Sequence, residues 1–330
     1  MTRIAALGFV GGLTLVIALV AWQGAGVIAD ALAEAGWHLL WLAPYFLAWL
    51  VPAILGWSLL MRSAVRPPLP AMLVAGWIGY AINWLLPVAQ LGGDVARGLW
   101  LMRRYPAQAT IAASVVVDKT LQAVTQAPVA IAGAALLIAV TGSGEFVPVA
   151  VVFSIVLLAL LLIFVRLQRR GLFGPMAARV ARLMRREAGD GPQAGADRVD
   201  RAVRTLYADP GRLAASLVLR LLSRVAMAGE VWLILWFMGH PVGLAEAMVL
   251  EFLGQTLRAA SFFVPGAYGV QEGGYVLLGA AIGLPPSVAL AVSLAKRGRE
   301  LLVGLPALVV WQLGDGRAAL RAVTGRGPGR

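Results

Sequence analysis

The sequence predicts an all-α, polytopic membrane protein with about six spans and two re-entrant hairpins in an inverted internal repeat. Three observations carry that expectation. The chain of 330 residues is 60% hydrophobic and 13% charged, with a mean hydropathy of +0.82, whereas a soluble globular domain carries about 25% charged residues. Its apolar runs have bilayer length and its basic residues fall mostly between them. The stretch from Ala245 to Trp311 is apolar enough for lipid, yet Pro265-Gly266 and Gly273-Gly274 break it, and it carries Glu251, Arg258, Glu272, Lys296, Arg297, Arg299 and Glu300. Broken backbone at membrane depth survives only where protein or a water-filled cavity covers it, and charge there marks a functional site by default.

The elements follow in order. Ile4 to Trp22 is about one bilayer length and reads as a signal anchor, because no small-residue cleavage site follows it. The loop after it holds Asp30 and Glu34 but no Lys or Arg, which places the amino terminus inside. Trp37 to Met61 returns to the cytoplasm and ends at Arg62, Arg66 and the breaker Pro67-Pro68-Leu69-Pro70. If Ala71 to Val88 were a full span, Arg97, Arg103 and Arg104 would lie outside, against the positive-inside bias. A re-entrant hairpin satisfies it: Ala71 to Leu86 dips in, Pro87 to Asp94 turns, and Val95 to Met102 climbs back. At about 1.5 Å per residue that returning arm is too short to cross the core.

Ala107 to Val140 crosses outward with a kink expected at Pro128. Asp118 then lies roughly 16 Å deep at the helical rise, with Lys119 beside it. Gly142 to Glu145 is a short outer loop, and Val147 to Val165 returns inside. Arg166 to Arg212 holds 11 arginines against five acids. It reads as a basic, solvated cytoplasmic loop with an amphipathic helix (Arg179, Arg182, Arg186) on anionic lipid headgroups, with a regulatory or partner-binding role as the alternative. Gly189 to Gly195 is expected to be flexible. Leu213 to Gly239 crosses outward; its Arg220 and Arg224 share a face and read as snorkelling to the cytoplasm, while Glu230 is too deep for that. Leu244 to Val264 dips in from outside, Pro265 to Gly274 turns, and Tyr275 to Gly283 climbs back. Ser287 to Leu313 then crosses inward to a tail with Arg317, Arg321, Arg326 and Arg330, which puts both termini in the cytoplasm.

Composition also excludes function classes. The net charge is +12, but no basic-aromatic module accompanies it, so no nucleic acid is expected. There is no cysteine, and His38 and His240 lie far apart, so neither a metal site nor a cofactor is expected.

The two halves correspond. Subtracting 178 maps Pro265 onto Pro87, Glu272 onto Asp94, Lys296 and Arg297 onto Asp118 and Lys119, and Pro306 onto Pro128. This divides the single membrane domain into a first repeat unit at 71–140 and a second at 249–318. Repeats of opposite orientation, each with a broken segment and a charged helix after it, are the pattern of a transporter with a midplane site. The candidate substrate-binding residues are Asp94, Asp118, Lys119, Arg258, Glu272, Lys296, Arg297, Arg299 and Glu300. In this reading Arg258, Lys296, Arg297 and Arg299 present cations to an anionic headgroup, and Asp94, Asp118, Glu272 and Glu300 hold them charged and oriented. Glu251, Gln255 and Arg258 share a helix face, and Lys296 with Glu300 has i, i+4 spacing. The alternative is that these charges are structural ion pairs with no ligand. Trp77, Tyr80, Trp84, Phe262, Phe263 and Tyr268 line a lipid path or simply pack.

The segments Pro87 to Asp94 (PVAQLGGD), Ala113 to Gln122 (ASVVVDKTLQ), Ser261 to Gly274 (SFFVPGAYGVQEGG) and Ser293 to Pro306 (SLAKRGRELLVGLP) resemble the membrane region of lysylphosphatidylglycerol synthase/flippase proteins. Within that superfamily the chain is most similar to the hopanoid-associated, HpnL-type branch. The resemblance implies a lipid-handling protein of the bacterial inner membrane that moves a hopanoid or related lipid between leaflets. Synthase members append an aminoacyl-transferase domain, and this chain runs only briefly past its last expected span, so lysyl transfer is not expected.

The leading reading is therefore a non-enzymatic lipid flippase or transporter whose partner is a membrane lipid, hopanoid or anionic phospholipid. With no Walker motif its drive would be a gradient or lipid supply. The alternatives are a membrane enzyme modifying a lipid headgroup, with Asp94, Asp118 or Glu272 as acid or base, and a scaffold for lipid-synthesis enzymes.

Overall fold

The computed structural model of the chain describes residues 17, 25–86, 92–142, 155, 159, 163, 165–168, 170, 190–261 and 267–313. The fold is all-α, with no strand among these residues. The expected first span, most of Val147 to Val165, the helix with Arg179, Arg182 and Arg186, Phe262, Phe263 and the basic tail lie outside the described residues.

Ala25–Ala35 (α1) passes through a 3-10 turn, Gly36–Trp41, into Leu42–Leu59 (α2). The loop expected around Asp30 and Glu34 is thus a helix. Its sequence, AGVIADALAEA, is rich in alanine and holds no proline, so backbone propensity closes it. Leu69–Leu85 (α3) and Gly92–Met102 (α4) follow, then Gln108–Val124 (α5) and Gln126–Thr141 (α6). Thr125 between the last two keeps helical angles, φ −64 and ψ −18, so α5 and α6 form one bent run. Pro128 cannot donate to the carbonyl of Val124, which accounts for a break three residues ahead of the expected kink.

Asp190–Tyr207 (α7) begins inside the stretch expected to be flexible. Pro192 falls in its first turn, where proline is tolerated. Nor is the basic segment wholly solvated: α7 packs on α5, with Val203 and Tyr207 in the core. Tyr207 Oη donates to Gln168 Oε1 at 2.6 Å, and Gln168 Nε2 donates to Thr120 Oγ1 at 3.1 Å. Pro210–Phe237 (α8), Leu244–Ala260 (α9), Val270–Ala281 (α10) and Pro286–Trp311 (α11) complete the fold.

The packing is close and antiparallel. Between α3 and α4, Gly93 N donates to Asn83 Oδ1 at 2.8 Å, and a Cβ built on Gly93 would sit 1.9 Å from the carbonyl oxygen of Gly79. Glycine is required there because two backbones touch. Helices α9 and α10 run past one another in the same way, with Leu257 against Gly274 and Gly254 against Tyr275. The long α8 lies along α2, where Tyr45 Oη donates to Ala226 O at 2.9 Å and Ser223 Oγ to Trp49 O at 2.8 Å.

Two larger apolar cores and two small clusters result among the described residues. One gathers Trp49, Trp57, Met72, Leu101 and Ile111, and the other Ile234, Leu250, Tyr275 and Leu290. Outside them the usual polarity is reversed. On α8, Arg220 and Glu230 are buried while Val218, Leu222 and Trp236 are exposed. On α11, Lys296, Arg299 and Glu300 are buried while Leu301, Leu302, Leu305 and Val309 face outward. Lys, Arg and Glu are almost never fully buried in water-soluble proteins unless paired, so apolar surroundings suit this arrangement. Among the described residues, Leu32–Leu59 and Gln108–Thr141 are long and apolar enough to cross a membrane. Helices α8 and α11 are comparably long, at 28 and 26 residues, but carry charge in their middles.

Candidate functional site

Most of the buried charges among the described residues fall into three groups. The first is centred on Asp118 of α5, which is 0% exposed. It takes Arg97 Nη2 of α4 at 2.8 Å on one oxygen and Arg220 of α8 on the other. Arg97 also reaches Asp94 Oδ1 at 2.7 Å, and Lys119 Nζ reaches Asp94 Oδ2 at 2.8 Å. The Arg97 guanidinium lies over the Trp57 ring, 4.4 Å from its centroid. Arg220 therefore does not snorkel; the nearest charge it finds is on another helix.

The second group centres on Glu251 of α9, also 0% exposed. One of its oxygens accepts from Lys296 of α11 and, at 3.0 Å, from Tyr275 Oη of α10; the other accepts from Gln255 at 2.8 Å. Glu230 of α8 belongs beside it, accepting from Trp49 Nε1 at 3.0 Å and from Arg299 Nε at 2.9 Å. The Arg299 guanidinium lies 4.7 Å from the Trp84 ring centroid and 5.4 Å from that of Trp49.

The third group is centred on Glu300, which accepts from Arg258 Nη1 and Arg297 Nη1, each at 3.0 Å. Arg258 Nη1 also reaches Gln271 Oε1 at 2.9 Å. Arg297 Nε donates to Glu272 Oε1 at 3.0 Å, and Glu272 Oε2 accepts from Gly269 N at 2.7 Å. That second contact caps α10, whose N-cap Gly269 has φ 79, a conformation glycine takes without cost. Expected partners are thus reassigned. Lys296 bonds Glu251 across two helices rather than Glu300 four residues on, because a buried charge takes the counter-charge that packing brings to it.

A cavity of about 570 Å³ opens among these groups, with walls from α2, α3, α5, α6, α8, α9 and α11. Its charged lining consists of Lys119, Arg220, Arg224, Arg258, Lys296, Arg299 and a single carboxylate, Glu300. The carboxylates of Asp94, Asp118, Glu230 and Glu251 stand behind the wall and hold the cations in place. Trp49, Tyr80, Trp84 and Met227 supply an apolar part.

Of the nine residues expected to form a site, Lys119, Arg258, Lys296, Arg299 and Glu300 line this cavity. Asp94 and Asp118 sit one layer back, and Arg297 and Glu272 are joined to the cavity through Glu300. All nine are ion-paired. Arg97, Arg220, Arg224, Glu230, Trp49 and Tyr275 were not among them. Four of these six carry charge within apolar runs, the signal that would have found them. Of the expected aromatic lining, Tyr80 and Trp84 are at the cavity, whereas Trp77 Nε1 donates to Val303 O at 2.9 Å and Tyr268 lies 4.5 Å from the Arg297 guanidinium.

The pairs Asp94–Lys119 and Glu272–Arg297 are displaced by 178 positions in both members. Each ties the start of a short helix to the long helix after it.

Neither a curated protein nor a solved structure matches the chain. The family model described as the lysylphosphatidylglycerol synthase TM region matches residues 9–307, which take in both helical hairpins, the bent α5–α6 run and nearly all of α11. With that match over most of its length, and with buried charge enclosed by outward-facing apolar side chains, the chain belongs to the lysylphosphatidylglycerol synthase transmembrane-region family.

Proposed function

We propose that this membrane protein is a lipid flippase or transporter of the bacterial inner membrane, and that the cavity receives the lipid headgroup. The observation that carries the reading is the lining: six cations and one carboxylate, with the balancing acids set behind the wall. A purely structural network would place each pair face to face and leave no one-signed surface. The wall instead offers positive charge and aromatic rings to one molecule, which suits an amphiphile.

The hairpins α3–α4 and α9–α10 are the two re-entrant elements, entering from opposite sides in an inverted repeat, with both termini cytoplasmic. The recurrence of one ion pair at a constant offset of 178 supports the repeat. A hopanoid cargo is supported by the HpnL-type resemblance, and the cationic lining supports an anionic phospholipid more strongly, because a hopanoid polyol is neutral.

The test is leaflet exchange by the purified full chain in vesicles with tail-labelled phosphatidylglycerol or a labelled hopanoid, read as dithionite access to inner-leaflet label. Faster access than in protein-free vesicles for phosphatidylglycerol is the expected result. Equal rates with and without protein, for both lipids, end the transport reading.

A further inference from the structure

The chain has two lysines among its 28 basic residues, Lys119 and Lys296. Both line the cavity. Every other basic residue is arginine, which keeps its proton, whereas lysine can release one and moves on a flexible four-carbon stem.

The difference matters most at Lys296. The contact of Arg97 with Asp118 and the contact of Tyr275 with Lys296 are displaced by 178 positions in both members, and each joins a short helix to the long helix after it. Arg220 completes the first, so Asp118 is held by two groups that do not give up protons. Glu251 completes the second, accepting from Lys296, Tyr275 and Gln255. One cluster is electrically fixed, and in the other the glutamate, the lysine and the tyrosine can each exchange a proton.

Glu251 stands behind the cavity wall, and two of its three partners, Lys296 and Gln255, are part of that wall. Of the helices packed on α9, α10 brings Tyr275, α8 brings Arg224 within electrostatic reach, and α6 brings no charged residue. Glu230 and Arg258 bear on Tyr275, but they are bonded to Arg299 and Glu300. Lys296 and Arg224 both line the cavity, so an anion there competes with Glu251 for both of them.

We propose that Glu251 is a proton-binding site, which takes up one proton when an anion entering the cavity draws Lys296 away from it. A buried carboxylate that loses its counter-charge is costly, and protonation relieves that cost. The proton comes from solvent, Glu251 passes from carboxylate to carboxylic acid, and Lys296 keeps its charge. One anion and one proton thus enter together, and no net charge is added to the apolar region. The new O–H has an acceptor at hand, because the Tyr275 hydroxyl, 3.0 Å away, accepts as well as donates. The proposal rests on the transport reading above for the identity of the anion, and it ties loading to the proton gradient.

The experiment is titration calorimetry of the delipidated full chain in detergent with phosphatidylglycerol, run in two buffers of different ionisation enthalpy so that proton uptake is read directly. Wild type is expected to take up about one proton per bound lipid and to lose about tenfold in affinity for each unit of pH rise between about pH 6 and about pH 8, the linkage of one proton. Glu251→Gln keeps an acceptor for Tyr275 and has no proton to gain, so its uptake should vanish and its affinity should be flat over the same range. A merely structural ion pair would give no uptake in either protein. Infrared spectra of the lipid-free proteins supply a second reading. Lys296→Gln should show a protonated-carboxyl band at neutral pH that is missing from wild type and from Lys296→Gln combined with Glu251→Gln.

Lipid bound without proton uptake overturns the proposal and leaves the transport reading standing. Uptake that persists in Glu251→Gln overturns it too, because another group then takes the proton. If phosphatidylglycerol does not bind, the transport reading fails, and the infrared band decides the proton site by itself: its presence in Lys296→Gln upholds the site, and its absence overturns it.

Discussion

Lys296 and Glu251 form an ion pair between α11 and α9 with side chains 3% and 1% exposed. Removing one member of such a pair strands the other and costs about 3–5 kcal/mol, whereas replacing both with apolar residues of similar volume is close to neutral. Lys296→Met is therefore expected to lower the unfolding temperature strongly, and Lys296→Met with Glu251→Leu to recover most of the loss. Thermal unfolding of the purified variants in detergent checks this. If the double variant is as unstable as the single one, the pair is not the cause.

The crossing of α3 and α4 makes a sharper case. Gly93→Ala places a methyl group 1.9 Å from the Gly79 carbonyl, so the two backbones must separate. Overpacking of this kind costs about 1–3 kcal/mol. Gly298→Ala, in the middle of α11, meets nothing within 4 Å and should stabilise by a fraction of 1 kcal/mol through helix propensity. Equal unfolding temperatures for the two variants would contradict the close crossing.

Glu272 does two jobs that substitution can separate. Glu272→Gln loses the attraction to Arg297 but keeps an oxygen for Gly269 N; Glu272→Ala loses both. The cap alone is worth about 1 kcal/mol. Amide hydrogen exchange at the start of α10 should rise modestly in the glutamine variant and several-fold more in the alanine variant. Identical exchange in the two would show that the cap is idle.

Topology is testable with unusual cleanness because the chain has no cysteine. Single cysteines at Ser63, Arg103, Gln193 and Pro285 should report inside, inside, inside and outside to a membrane-impermeant thiol reagent. An outside report from Arg103 would make α3 an ordinary span and remove the inverted pair of hairpins.

Sequence reasoning reached the helical class and most of the buried charge, because prolines, glycines and charges interrupting apolar runs are visible one residue at a time. It did not reach the partners. The Asp118–Arg220 contact joins residues 102 positions apart, and which faces of α5 and α8 meet is decided by packing. The positive-inside rule sorts charges by position along the chain, so it counted Arg97 with Arg103 and Arg104 as an inside charge, and Arg220 was read as snorkelling. Both are held by a carboxylate that the rule does not count. The helix Ala25–Ala35 was hidden for a related reason: its two acids were weighed as loop charge while its alanines were not weighed as helix formers.

The reversed polarity of α8 and α11 also sets the substitutions that each position tolerates. Outward residues such as Leu222 and Leu305 touch little protein, so isoleucine, valine or phenylalanine should exchange there freely while a single aspartate should not. Inward positions obey the opposite rule: one buried cation exchanged for leucine leaves its carboxylate stranded, and only a simultaneous second change makes the first acceptable. Drift in this chain is therefore expected to be solitary on its rim and paired at its centre.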